Sequence, residues 1–188
     1  MKKTRKILAM VCALTLTAAL AVGGTFAYLT AQSETVVNEF TFGNISITLE
    51  ESPDLDLKMV PGKIITKDPV ATVVTGSEAC WLFVEIQEAN NFDAFMTFAV
   101  AEGWTTLDAH SDDDTTIIYR EVTAGQVGTP YAVLAGNQVV VKDTVDKAMM
   151  DELTNGAAAP TLTFQAYAYQ SEGVNEADAI TAAAAFFA

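Results

Sequence analysis

The stretch Cys80-Trp81-Leu82-Phe83-Val84-Glu85-Ile86-Gln87 decides the fold. Cys80, Leu82, Val84 and Ile86 alternate with Trp81, Phe83, Glu85 and Gln87. A period of two sends successive side chains to opposite faces of a pleated strand. Both faces are apolar at the start of the run, which places this strand centrally in a sheet.

Toward the C-terminus, Asn90 or Asn91 is placed to cap a short helical turn through Phe92–Phe95, and Met96 to Val100 continues as strand. Gly103 and Trp104 begin a short extended piece ending near Leu107, followed by an acidic loop from Asp108 to Asp114. Thr115 to Val122, TTIIYREV, is a β-branched strand. Tyr131–Leu134 and Gln138–Lys142 flank Ala135-Gly136-Asn137 and read as a hairpin. Asp143 or Thr144 can cap a helix running to Leu153, with Asp146 in its first turn and Val145, Met149 and Leu153 on one face. Asn155-Gly156 ends it. In the strand Thr161 to Tyr169, Leu162, Phe164, Ala166 and Ala168 form one face, with Tyr167 and Tyr169 on the other. A last helix, Glu176 to Phe187, carries Asn175 as its cap and Asp178 at the third position.

Toward the N-terminus, Gly76-Ser77 is a turn and Ile64 to Val74 is extended. Pro69 inside that stretch argues for an edge strand or a break between two strands. Met59-Val60-Pro61-Gly62 is a turn, and Glu50 to Asp56 an acidic loop. Phe40, Phe42, Ile45, Ile47 and Leu49 mark the first strand, with a one-residue slip that predicts a bulge at Gly43-Asn44. The pattern amounts to about eight short strands with two or three small helices in the connections, and lacks βαβ alternation. The expected fold is mainly β: an antiparallel β-sandwich, jelly-roll-like.

The chain has 188 residues, and the first 27 read as a signal peptide. Lys2, Lys3, Arg5 and Lys6 precede the uncharged run Ile7–Val22, and Thr25-Phe26-Ala27 presents a cut between Ala27 and Tyr28. The run is shorter than the roughly 20 residues of a spanning helix, so no stable membrane span is expected after cleavage. Residues 28–39 form a polar, flexible N-terminal segment, and residues 40–188 a single β-sandwich domain. Of ten basic residues, four lie before Ala27 and six remain beside 24 acidic ones, a net charge of −18 over residues 28–188. Such a surface repels nucleic acid and anionic lipid. With Cys12 in the signal, Cys80 stands alone, so the exported fold rests on its core rather than on a disulfide. In its apolar run Cys80 reads as a small buried hydrophobe.

Little catalytic chemistry is visible. His110 is the single histidine, so a His-Glu-x-x-His zinc site cannot be assembled. A Ser-His-Asp triad would have to use His110 beside its neighbour Ser111, and no Gly-x-Ser-x-Gly elbow is present. The expectation is a non-enzyme without cofactor. Asp112, Asp113 and Asp114, with Asp108, are weak calcium candidates, because their spacing does not match a D-x-D-x-D-G loop. Trp81, Phe83, Tyr167 and Tyr169 could form an aromatic ligand platform if exposed on one face, though core packing is the usual fate of such residues.

Three segments carry a family resemblance. GGTFAYLTA followed by FTFGNISITLEE, MVPGKIITKD at Met59–Asp68, and TLTFQAYAYQ at Thr161–Gln170 resemble the TasA/camelysin family of Firmicutes proteins exported through the SipW-type signal peptidase. The resemblance touches both ends and the middle of the chain. It implies a jelly-roll sandwich, the SipW-type peptidase as processing partner, and a secreted protein of the cell surface or biofilm matrix. It also implies self-association or association with related matrix subunits, by addition of the N-terminal segment as a strand to the next subunit. The family's camelysin label implies an alternative, a secreted metallopeptidase; an extracellular ligand-binding module is a third reading.

Overall fold

A computed structural model describes residues 44–52, 58–112 and 114–188. The signal peptide, the cut at Ala27-Tyr28, the segment 28–39, the start of the first strand with Gly43, and Asp113 lie outside the described residues. Every described residue belongs to one compact unit, Phe42–Ala188.

The described residues are mainly β, with ten strands in three antiparallel sheets. A four-stranded sheet is built from β10 (Thr161–Gln170), β4 (Cys80–Ala89), β7 (Thr115–Val122) and β6 (Thr105–Thr106), in that order. The stretch read first, Cys80–Gln87, lies in one of its two inner strands, bonded along its length to both β10 and β7. A three-stranded sheet runs β1 (Ile47–Glu50), β3 (Val70–Val73), β8 (Pro130–Ala132). The other runs β2 (Ile64–Thr66), β9 (Gln138–Val141), β5 (Met96–Thr97).

Pro69 sits where β2 leaves one small sheet and β3 enters the other, so the proline marks a break between two strands. The expected hairpin between Tyr131–Leu134 and Gln138–Lys142 does not form. β8 pairs with β3 and β9 pairs with β2 and β5, and the 3-10 turn Ala135–Asn137 carries the chain from one sheet to the other. The two crossings are stitched together: Lys67 N–H donates to the Asn137 carbonyl at 2.9 Å, and Val133 N–H donates to the Pro69 carbonyl at 3.0 Å. Satisfying these backbone groups across the break lets two short sheets act as one layer opposite the four-stranded sheet. The core lies between: Leu82, Val84, Ile86, Ile118 and Val122 meet Ile65, Val73, Leu134, Val139 and Val141.

The helices differ from expectation at their starts. α1 (Phe92–Phe95) follows Asn91, but Asn91 makes no side-chain capping bond. Asn90 and Asn91 instead adopt left-handed φ of 59° and 57°, which turns the chain out of β4, and Asn90 Nδ2 donates to the Ala159 carbonyl at 3.0 Å. α2 (Lys147–Thr154) begins after Asp146, whose Oδ1 accepts from Met149 N–H at 3.0 Å. Asp143 does not serve as the cap. Its carboxylate lies over Gly62, where an added Cβ would stand 2.6 Å from Oδ1 and where φ is +73°. α3 (Glu176–Phe187) has its expected cap: Asn175 Oδ1 accepts from Asp178 N–H at 2.9 Å. Met96–Val100 gives only the two residues of β5 and an isolated bridge from Val100 to Leu134.

Candidate functional site

Four regions bear on function: the acidic loop with His110, the aromatic face of the four-stranded sheet, the setting of Arg120, and the clefts at the sheet edges.

Asp108–His110 form a single exposed 3-10 turn. Ser111 is committed elsewhere: its Oγ donates to the Leu107 carbonyl and accepts from Ile117 N–H, both at 3.0 Å. No hydrogen bond joins His110 to Ser111, so the pair has no nucleophile–base geometry. Asp112 is used in the turn, its Oδ1 accepting from Asp114 N–H at 3.1 Å and its own N–H donating to the Thr115 carbonyl at 2.8 Å. Asp114 gives its carbonyl to Glu88 N–H at 2.7 Å. His110 and Asp112 line a cleft of about 290 Å³ with Glu85 and Phe187. Partial burial and the neighbouring Asp112 push the Glu85 carboxyl above its ordinary range. Burial, with Asp93 and Asp114 nearby, does the same to Glu88, against a smaller opposing pull from Lys142. Among the described residues, no three His, Cys, Asp or Glu side chains stand together to hold a metal ion.

The four aromatic residues singled out from the sequence do share one face. Register pairs Tyr167 with Phe83 and Tyr169 with Trp81, and adds Tyr119 of β7 opposite Phe83. Ring centroids lie 5.6 Å apart for Phe83–Tyr119, 6.2 Å for Phe83–Tyr167 and 6.2 Å for Trp81–Tyr119. Tyr119 was not among the residues read as a platform, yet period two in TTIIYREV already separates it from Ile118 and Val122. The face is covered by α3: Phe83, Ala179 and Ala183 are fully buried together, with Ile180 and Phe187 against them. Tyr119 Oη donates to Glu176 Oε1 at 2.5 Å, and this bond, with burial, pushes the phenol up to about 12. Trp81 Nε1 is buried and finds no hydrogen-bond partner among the described residues.

Arg120 is a second residue that periodicity did not single out. It stands on the inner face of β7, in register with buried Leu82. Its guanidinium lies 3.7 Å from the Tyr131 ring centroid and 5.4 Å from that of Trp104, whose Nε1 donates to the Ala132 carbonyl at 2.8 Å. This stacking holds a cation at the rim of an apolar core.

Cys80 is fully buried, and burial raises its thiol to about 11, so it is a core residue and not a nucleophile. An apolar cleft of about 350 Å³ opens between Met59, Phe92, Met96 and Leu162. A second, of about 280 Å³, lies between β1 and β10, lined by Leu49, Glu50, Lys67, Leu162 and Phe164. Lys67 crosses it, pairing with Glu51 at 2.7 Å and lying 5.4 Å from the Phe164 ring. Among the described residues no helix is long and apolar enough to cross a membrane.

Residues 2–72 match the family model described as camelysin metallo-endopeptidase. The match spans less than half of the chain and includes two of the three segments that carry the resemblance, those at Gly23–Glu51 and Met59–Asp68. No curated protein and no solved structure matches the chain.

Proposed function

Taking as premise that residues 2–72 carry the pattern of the TasA/camelysin family, we propose that this chain is a secreted structural protein of the cell surface or biofilm matrix, assembled by strand addition. The observation that supports the reading is the free edge of β10. This ten-residue strand pairs with β4 on one side, and among the described residues no strand is bonded to its other side. The edge of β1 stands across a cleft from it. Such an edge presents a row of backbone N–H and C=O groups that an extended segment can satisfy. The segment 28–39, with Thr35-Val36-Val37 and no proline, has the composition to supply that strand from a neighbouring copy.

Deleting residues 28–39 tests this. The expected outcome is a folded monomer by circular dichroism and light scattering, where the chain that begins at Tyr28 forms high-mass assemblies visible by electron microscopy. A chain from Tyr28 that stays monomeric at high concentration sinks the proposal.

The family's metallo-endopeptidase description favours a second reading, which requires a bound metal. The described residues do not fit one: they bring no three ligating side chains together, and His110 lies in an exposed turn whose neighbouring Ser111 and Asp112 are engaged in local hydrogen bonds. A protease assay with and without chelator, run also on His110→Ala, separates the readings. Chelator-sensitive cleavage that co-purifies with the chain favours the peptidase.

A further inference from the structure

We propose that α3 is a displaceable cover, and that the aromatic face beneath it is a docking surface for the α3 helix of a second copy of this chain. The inference is independent of strand addition and rests on different residues.

The four-stranded sheet is apolar on both faces but is covered very differently on each. On the outer face the buried cluster among the described residues is Phe83, Ala179 and Ala183, and Ile117 of β7, on the same face, is also buried. The fully buried helix contacts are the methyl groups of Ala179 and Ala183, each of which gains little, while Ile180 and Phe187 pack on the rings only partly buried. Phe186 stacks on Tyr167 with centroids 4.6 Å apart, yet remains 46 % exposed. Among the described residues one side-chain hydrogen bond, Tyr119 to Glu176, ties the helix to the strands. Trp81 Nε1 finds no acceptor among the described residues under the closed helix, a standing cost that opening relieves by admitting water.

The connection permits exchange. Ser171–Asn175 separate β10 from α3, and Gly173 within them has φ +74°. Five residues extend to roughly 17 Å, enough for the helix to leave its own sheet. Opening does not uncover the main core, because β10 keeps Leu162, Phe164, Ala166 and Ala168 packed there on its other face. A second copy's α3 is the occupant of known fit, since it reproduces every contact of the closed form, the logic of a swapped element. The released helix has no charge after Asp178, which gives it reason to find an apolar partner.

The test uses the full chain and a fluorescently labelled peptide of residues 174–188, read by anisotropy. The peptide is expected to bind, and a peptide carrying Ala179→Asp and Ala183→Asp to fail. Glu176→Ala in the full chain weakens only its own helix, while the peptide keeps its Glu176. The apparent affinity for the peptide therefore rises by roughly fivefold, as loss of one hydrogen bond dictates. Tyr119→Phe removes that bond from both helices and leaves the peptide affinity unchanged. Hydrogen exchange supplies a readout that needs no variant: α3 amides exchange faster than those of β4. The proposal is overturned if the native peptide does not bind, if the Asp peptide binds equally, if Glu176→Ala has no effect, or if α3 and β4 exchange at one common rate.

Discussion

Cys80 and Trp81 are neighbours in sequence and belong to two different packing regimes. Cys80 faces a core in which aliphatic side chains from all three sheets interlock. Trp81 faces a smaller cluster of rings under one alanine-rich helix. The same strand thus joins a region that can open only with the whole fold to one that can open by itself. Dense, many-sided packing makes the first cooperative; a single covering element with few polar ties makes the second local.

The largest expected effect lies on the inner face. Leu82→Ala, at a fully buried site, is expected to cost about 3–5 kcal/mol in urea unfolding. Ala183→Asp on the outer face is expected to cost less, about 1–3 kcal/mol, because the helix can release the charge into water while the sandwich stays folded. Equal costs would erase the distinction between the faces.

The adjacent pair offers a sharper measurement of the same contrast. With its thiol raised to about 11, Cys80 should resist iodoacetamide at neutral pH and label only at the rate of global unfolding. Acrylamide quenching of Trp81, measured in a Trp104→Phe background, should instead follow the opening of α3. Coincident labelling and quenching across a urea series would merge the two regimes into one.

The smallest effects are electrostatic. Glu85 and Glu88, on the more polar end of β4, have folded pKa values raised chiefly by burial. Their folded forms hold protons more tightly than the unfolded chain does. Stability from these sites is therefore present at acid pH and lost as pH rises through the raised values. Glu88→Gln should stabilise the fold at neutral pH by about 0.5 kcal/mol or less after solvent screening, and the gain should vanish in acid. Asp68 runs the other way. Hydrogen bonds from Ser52 Oγ and N–H hold its carboxyl below the ordinary value, so its contribution is present at neutral pH and is lost as pH falls through that lowered value. Stability profiles of Glu88→Gln and Asp68→Asn with the same pH slope would refute this assignment.

Strands were legible wherever local pattern and long-range pairing agree. TTIIYREV and TLTFQAYAYQ read as strands because period two and β-branched or aromatic content coincide, and they form β7 and β10. The final helix was legible to the residue because its cap is a local hydrogen bond, donated by Asp178 N–H to Asn175 Oδ1. The hairpin through Ala135-Gly136-Asn137 failed for the converse reason. A turn signal states that the chain changes direction, but not which strand it then meets, and here it hands the chain from one sheet to another. Asp143 looked like a cap by spacing, yet it lies against Gly62, 81 residues away, which no local pattern records. The aromatic platform was half legible: alternation put Trp81, Phe83, Tyr167 and Tyr169 on a common period, whereas the pairing of β7 that adds Tyr119 is a matter of register.

The sequence by itself determined the class of fold, the inner place of Cys80–Gln87 in its sheet, and the cap and extent of α3, because periodicity and capping act within a few residues. It determined as well that a His-Glu-x-x-His zinc site cannot be assembled from this sequence, since His110 is its single histidine. Only the tertiary structure decided that Pro69 and Ala135–Asn137 divide one layer into two sheets. It alone decided that Arg120 stacks on Tyr131, and that α3 closes over the outer face of β4 while leaving Trp81 Nε1 without an acceptor among the described residues. Those outcomes depend on which distant backbone edges and side chains meet, and a one-dimensional pattern carries no term for that meeting.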